Sequence, residues 1–136
     1  PAALKSYGLP SEIAMVEGNK GMAMIQNILS DKVGQWILGD HKEAHCEYSL
    51  TQIINNTYQS KVIDRTFIDK NNVRWIIDYK TGNHTGADLK TFFNNEKDRY
   101  RKQLEQYENI FKLSEETRKI KKALYYPMHK ELLEIE

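Results

Sequence analysis

Residues 62–82 read VIDRTFIDKNNVRWIIDYKTG, and this stretch decides the fold. Val, Ile, Phe, Trp and Tyr crowd both sides of the polar triplet Lys70-Asn71-Asn72. That is the pattern of two extended segments, 58–69 and 73–80, joined by a short turn. With the turn at Lys70–Asn72, Asp69 faces Val73 and opposed residues have numbers that sum to 142. Asp64 then falls opposite Asp78. Opposed residues of an antiparallel pair have Cα atoms about 4.5–5.5 Å apart, and like charges placed there are destabilising. Lys80, two residues beyond Asp78, leaves the same side of its strand.

Two carboxylates and an ammonium on one side of a sheet allow two readings. One is a solvated strand in which Asp64 pairs with Arg65. The other is a hard-oxygen site for Mg²⁺. A bound Mg²⁺ polarises a phosphoryl oxygen and shields the repulsion between carboxylates and a phosphodiester. The lysine would orient water or stabilise charge on phosphorus. The reaction this second reading implies is phosphodiester hydrolysis.

Outward from the hairpin, residues 11–38 carry a helical period, with Ser11 as cap and Gly18 and Gly21 as the expected break. A loop at 39–43 leads to a strand over 45–54, and Asn55-Asn56 signals a turn. After a glycine-containing loop at 82–87, residues 88–113 return to a helical period. There Tyr100, Leu104, Tyr107 and Phe111 share one face. Residues 114–121 read as a polar connection, with Arg118–Lys122 as a solvated basic run. Ala123–Tyr126 is a short strand stopped by Pro127, and Leu132–Ile135 a last one. The order implies one α/β domain over 1–136, its central mixed sheet flanked by helices. Residues 1–38 read as a helical lead-in and 39–136 as the core, the part expected to be catalytic if the metal-site reading holds.

The chain has 136 residues, enough for one hydrophobic core. Its net charge is +1, far from that of a free-standing sequence-independent nucleic-acid binder. The signs are uneven, however: residues 97–122 hold nine Lys/Arg against five Asp/Glu. The lone Cys46 excludes an internal disulfide or a cysteine-built zinc site. It suits a reducing, cytoplasmic setting. No stretch reaches the ~18 apolar residues of a membrane helix, so no membrane partner is expected. PAALKSYGLP has no signal-peptide pattern and no initiator methionine, as expected of a piece of a longer protein. The chain has no G-x-x-x-x-G-K-[ST] run, so any ATP-driven step belongs elsewhere.

The run over 62–82, the later YRKQLEQYENIF (100–111) and ALYYP (123–127) together resemble the RecB-like branch of the PD-(D/E)XK nucleases. More narrowly they are similar to the C-terminal nuclease domains of AddA-type helicase–nucleases of the UvrD/Rep class, across residues 36–127. The resemblance implies a restriction-endonuclease-like core and a metal-dependent DNA exonuclease acting in double-strand break repair and recombination. It implies Asp64 and Asp78 as Mg²⁺ ligands, with Mn²⁺ as a substitute, the Tyr79 main-chain carbonyl as a further ligand, and Lys80 as the catalytic lysine. Gln103 and Tyr107 match a Q-x-x-x-Y motif that supports the active site and touches DNA. They are four residues apart and share a helical face; as a plain core aromatic, Tyr107 would join Leu104 and Phe111. Arg65, Thr81, Arg99 and Tyr100 are further expected DNA contacts, with charge balance the alternative for Arg65 and a solvated helix surface the alternative for Arg99 and Tyr100. Arg74, flanking the acidic strands, is open to the same role or to charge balance.

The resemblance also implies a helicase portion of the same chain, a second subunit, DNA ends as substrate, and a bacterial cytoplasmic, nucleoid-associated site of action. Members of this branch usually carry a metal-binding histidine in an upstream G-x-x-x-H helix. Residues 1–38 hold no histidine, and His41 and His45 lie outside such a motif. Glu47 occupies the place of a glutamate found on the preceding strand in related sequences. That histidine is either absent or in sequence outside this piece, which keeps a second expectation open, that of a catalytically inactive structural or DNA-holding module.

Overall fold

A computed structural model describes residues 18–82, 84, 86, 88–114 and 117–136. Two helices lead in: α1 (Gly18–Ser30) and α2 (Lys32–Leu38). Strands β1 (Lys42–Ile54), β2 (Thr57–Ile68) and β3 (Arg74–Tyr79) follow, then the long helix α3 (Leu89–Leu113), β4 (Ile120–Tyr126) and β5 (Glu131–Ile135). The protein is a mixed α/β structure whose five strands lie in the order β1-β2-β3-β4-β5. All neighbours pair antiparallel except β3 and β4, which are parallel and joined through α3. The expected Ser11 cap lies outside the described residues.

Short polar residues set the turns. Asn55 and Asn56 take φ of 51° and 63°, the left-handed pair that a two-residue hairpin loop needs, and so bring Ile54 against Thr57. In the second hairpin, Asp69 Oδ1 accepts the N–H of Asn71 at 2.8 Å and of Val73 at 3.0 Å. Its Oδ2 accepts the Trp75 indole N–H at 2.9 Å. The register that follows is Arg65↔Ile77, Thr66↔Ile76, Phe67↔Trp75 and Ile68↔Arg74, the one the loop length implies.

The sheet is covered on both faces. Met24 and Ile28 of α1 and Ile37 of α2 pack on Phe67, Trp75, Ile77, Tyr79 and Tyr125. On the other face Leu104, Tyr107, Ile110 and Phe111 of α3 pack on Ile76, Leu124, Tyr126 and Leu133. The expected helix break is displaced. Gly21 sits inside α1 on the buried face it shares with Met24 and Ile28, and the chain breaks at Asp31. Asp31 accepts the N–H groups of Val33 and Gly34, capping α2, and its Oδ2 also accepts the Tyr125 hydroxyl at 2.7 Å. A capping carboxylate tied to the core outweighs the weak helix-breaking tendency of a packed glycine.

Burial alone would raise the Asp69 pKa, but the N–H donors of Trp75, Val73 and Asn71 outweigh it and hold the carboxyl below the ordinary 3.8. A carboxyl that ionises more readily when folded adds stability above its unfolded pKa and loses it as pH falls through the folded value. Asp69→Asn is therefore expected to be less stable than the parent at pH 6 and to lose less on acidification below about pH 4. Urea melts across that range would show the two stability curves converging; parallel curves would contradict this account.

Candidate metal and catalytic site

The site forms where β1, β2 and β3 stop behaving as one regular sheet. On β1, Cys46 pairs with Arg65 and Tyr48 with Ile63, so Glu47 and Asp64 face each other between the two pairs. Strict alternation would send Cys46 and Tyr48 to the same face. Instead the Arg65 guanidinium meets Cys46 Sγ on the α2 side at 3.3 Å, while Tyr48 stacks on Phe111 of α3. Glu47 absorbs the extra rotation with a left-handed φ of 51°. Directly beside it, the β2–β3 pairing ends at Arg65↔Ile77. Asp64 Oδ2 then accepts the N–H of Tyr79 at 2.9 Å, a bond the strand backbone would otherwise supply.

This sets Asp64 beside the peptide that follows Asp78. Asp78 is buried, and its Oδ2 lies 2.8 Å from Lys80 Nζ. Lys80 Nζ also stands 3.7 Å from the centre of the Tyr100 ring on α3, a cation–π contact that fixes the ammonium. Gln103 Nε2 donates to the Tyr107 hydroxyl at 2.8 Å. The Tyr107 pKa is raised by burial first, with the Asp78 and Asp64 charges adding to it; the Gln103 bond and Lys80 pull the other way. Asp64, Asp78, Lys80, Gln103 and Tyr107 thus occupy one place under the α3 face.

Compared with models of known protein families, the chain matches none, and no curated protein sequence matches it significantly. The chemistry must be read from the geometry.

The donor set fits a hard cation. Among the described residues no group of three or more His, Cys, Asp or Glu is disposed around an ion. Mg²⁺ is nevertheless commonly held by only one or two carboxylates together with water and substrate phosphate. A strand residue's N–H and C=O leave on the same side, and Lys80 N–H already bonds to Tyr125 O of β4. The Tyr79 carbonyl therefore shares the β2-facing edge with the N–H that Asp64 takes, and offers a third oxygen.

Several expected residues lie elsewhere. Arg65 is no DNA contact: it is 6% exposed. Its Nε and Nη2 donate to the carbonyls of Ile37 and Gly39 at 2.9 Å, closing the end of α2 on the far face. Alternation along β2 puts it there, one residue after Asp64 and two before Phe67, which packs on the same face. Arg74 is also buried, bonded to Glu43 and lying over Phe111. His41 stacks on Phe67 and bonds to Trp36 O on the far face, and His45 is an exposed ring stacked on Tyr48. The basic run is not wholly solvated, because Lys122 enters β4 and is buried against Glu108 at 2.8 Å.

Thr81, Arg99 and Tyr100 line a pocket of about 400 Å³ next to Lys80. Phe92, Glu96 and His84 line it too, and sequence reasoning missed all three. The signal for two of them was present: residues 92, 96, 100, 103 and 107 repeat at helical spacing on the α3 face that carries Gln103 and Tyr107.

Replacing Arg65 with Met should cost about 2–4 kcal/mol of folding stability, since it strands two carbonyls at the end of α2. Denaturant unfolding measures this; a loss below about 0.5 kcal/mol would contradict the structural role.

Proposed function

We propose that this chain is a Mg²⁺-dependent deoxyribonuclease domain with a restriction-endonuclease-like core, of the RecB-like PD-(D/E)XK kind. The observation that carries the reading is the meeting of Asp64, Asp78 and Lys80 where the β2–β3 ladder ends. Asp64, Asp78 and the Tyr79 carbonyl would hold the ion, and Mn²⁺ would serve in its place. When bound, the ion supplies charge for a phosphoryl oxygen and for the leaving oxygen. Lys80, fixed between Asp78 and Tyr100, places a positive charge to orient the attacking water or a phosphoryl oxygen. Gln103 and Tyr107 present a donor–acceptor pair beside the two aspartates, able to position substrate.

The domain belongs, in this reading, to an ATP-dependent helicase–nuclease that works on DNA ends in break repair and recombination. A motor in the same polypeptide, together with a second subunit, would deliver DNA to the site in the bacterial cytoplasm at the nucleoid. Such delivery agrees with a net charge of only +1. No described helix is long and apolar enough to cross a membrane.

One observation favours a second reading, a non-catalytic DNA-holding module of the same fold. Lys80 neutralises Asp78 directly at 2.8 Å, which satisfies the site without an ion. Cleavage separates the two. Asp78→Ala and Lys80→Ala should each lower Mg²⁺-dependent degradation of linear DNA by at least about 100-fold while leaving the circular dichroism spectrum unchanged. Full activity in both variants would remove the mechanism. A parent chain inert in both Mg²⁺ and Mn²⁺ would favour the module.

A further inference from the structure

The pocket beside Lys80 has three kinds of wall. On one side the His84 imidazole lies flat on Phe92, 4.6 Å apart and within 5° of parallel. Two turns further along the same α3 face, Tyr100 carries Lys80 Nζ at 3.7 Å and the Arg99 guanidinium at 5.3 Å from its ring centre. Between them is Glu96, whose side chain is only 13% exposed. Its Oε1 accepts the Tyr126 hydroxyl at 3.1 Å. Oε2 stands 3.9 Å from Arg99, too far for a hydrogen bond.

Each wall selects a chemical feature. Flat aromatic surface takes a planar heterocycle. Lys80 and Arg99 take a phosphate. A carboxylate offers acceptors alone, so Glu96 takes amino or imino hydrogens. A nucleotide with an exposed base edge has all three. At about 400 Å³ the pocket lies at the small end of ligand sites, a size that suits one nucleotide. A base within a duplex would have to leave its stack and give up its pairing edge, at a cost of a few kcal/mol.

We infer that this pocket seats and reads the unpaired base of the nucleotide next to the scissile phosphate, and so gives the site a base preference. The inference rests on the proposed hydrolysis at Asp64 and Asp78. Guanine presents two adjacent donors to Glu96. Thymine presents one N–H between two carbonyls that face the carboxylate unfavourably. The preference therefore runs from guanine at the top to thymine and an abasic site at the bottom.

The test uses the 136-residue chain with Mg²⁺ and end-labelled oligo(dT). One position at a time is replaced by dG, dC, dA or an abasic nucleotide, and each strand is also presented as a blunt duplex. Cleavage beside dG should exceed cleavage beside dT or the abasic site by about ten-fold in kcat/KM, and the duplex should be cut more slowly than its free strand. Glu96→Gln, which offers a donor as well as an acceptor, should bring the dG and dT rates within about two-fold of each other. Because Glu96 also anchors Tyr126, the scan on the parent chain decides the matter if that variant does not fold. Cleavage that ignores the base, or that is equally fast on blunt duplex, would overturn the inference and leave the nuclease reading standing. No metal-dependent cleavage of any strand would overturn both.

Discussion

Asp64 takes the N–H of Tyr79 at 2.9 Å at the point where β2 and β3 cease to pair. The site depends on that bond. An edge amide with no partner is costly when buried, and a strand that diverges must supply a substitute acceptor. Here the substitute is a carboxylate, and its position is fixed beside Asp78 as a consequence of satisfying the backbone. The repulsion between two acids is tolerated because Lys80 lies 2.8 Å from one of them. A divalent cation would answer the same electrostatic need more strongly.

The two faces of the sheet divide the work. Tyr79, Tyr125 and Ile77 lock into the α1–α2 layer, and Arg65 pins the end of α2 by donating to two carbonyls. That layer holds the backbone of β3 and leaves the opposite face to Asp78, Lys80 and the α3 residues. Tyr79 belongs to both sides: its side chain is fully buried in the far layer, while its amide anchors Asp64. Burial pushes its phenol pKa far above the ordinary tyrosine value, so it stays neutral in the core. A rigid strand between two packed layers can hold catalytic groups to the tolerance that chemistry demands.

The second hairpin was legible from the sequence because its determinants are local. Three turn residues fix the register as far as Arg65↔Ile77, and its continuation brings Asp64 to the Tyr79 amide that follows Asp78. Asn55-Asn56 worked the same way. The face of α3 was legible from its period, which placed Gln103 and Tyr107 together. Arg65 was misread because it was grouped with Asp64 as its neighbour in sequence, whereas alternation sends it to the opposite face, with Phe67 against α2. What alternation does not reveal is that β1 turns over at Glu47. A left-handed glutamate has no signature in a single sequence, since nothing in its side chain favours that conformation as glycine or asparagine would. The end of α1 was misplaced for a related reason. The Asp31 cap draws part of its strength from Tyr125, 94 positions away, and no local pattern reveals such a partner.

The central claim is that Asp64 and Asp78 share one divalent cation. Manganese EPR titration of the parent chain, Asp64→Asn and Asp78→Asn reads this directly. The account predicts about one ion per parent chain, in line with a single two-carboxylate site, and comparable loss of binding in both variants. Two variants that bind manganese as tightly as the parent would contradict it.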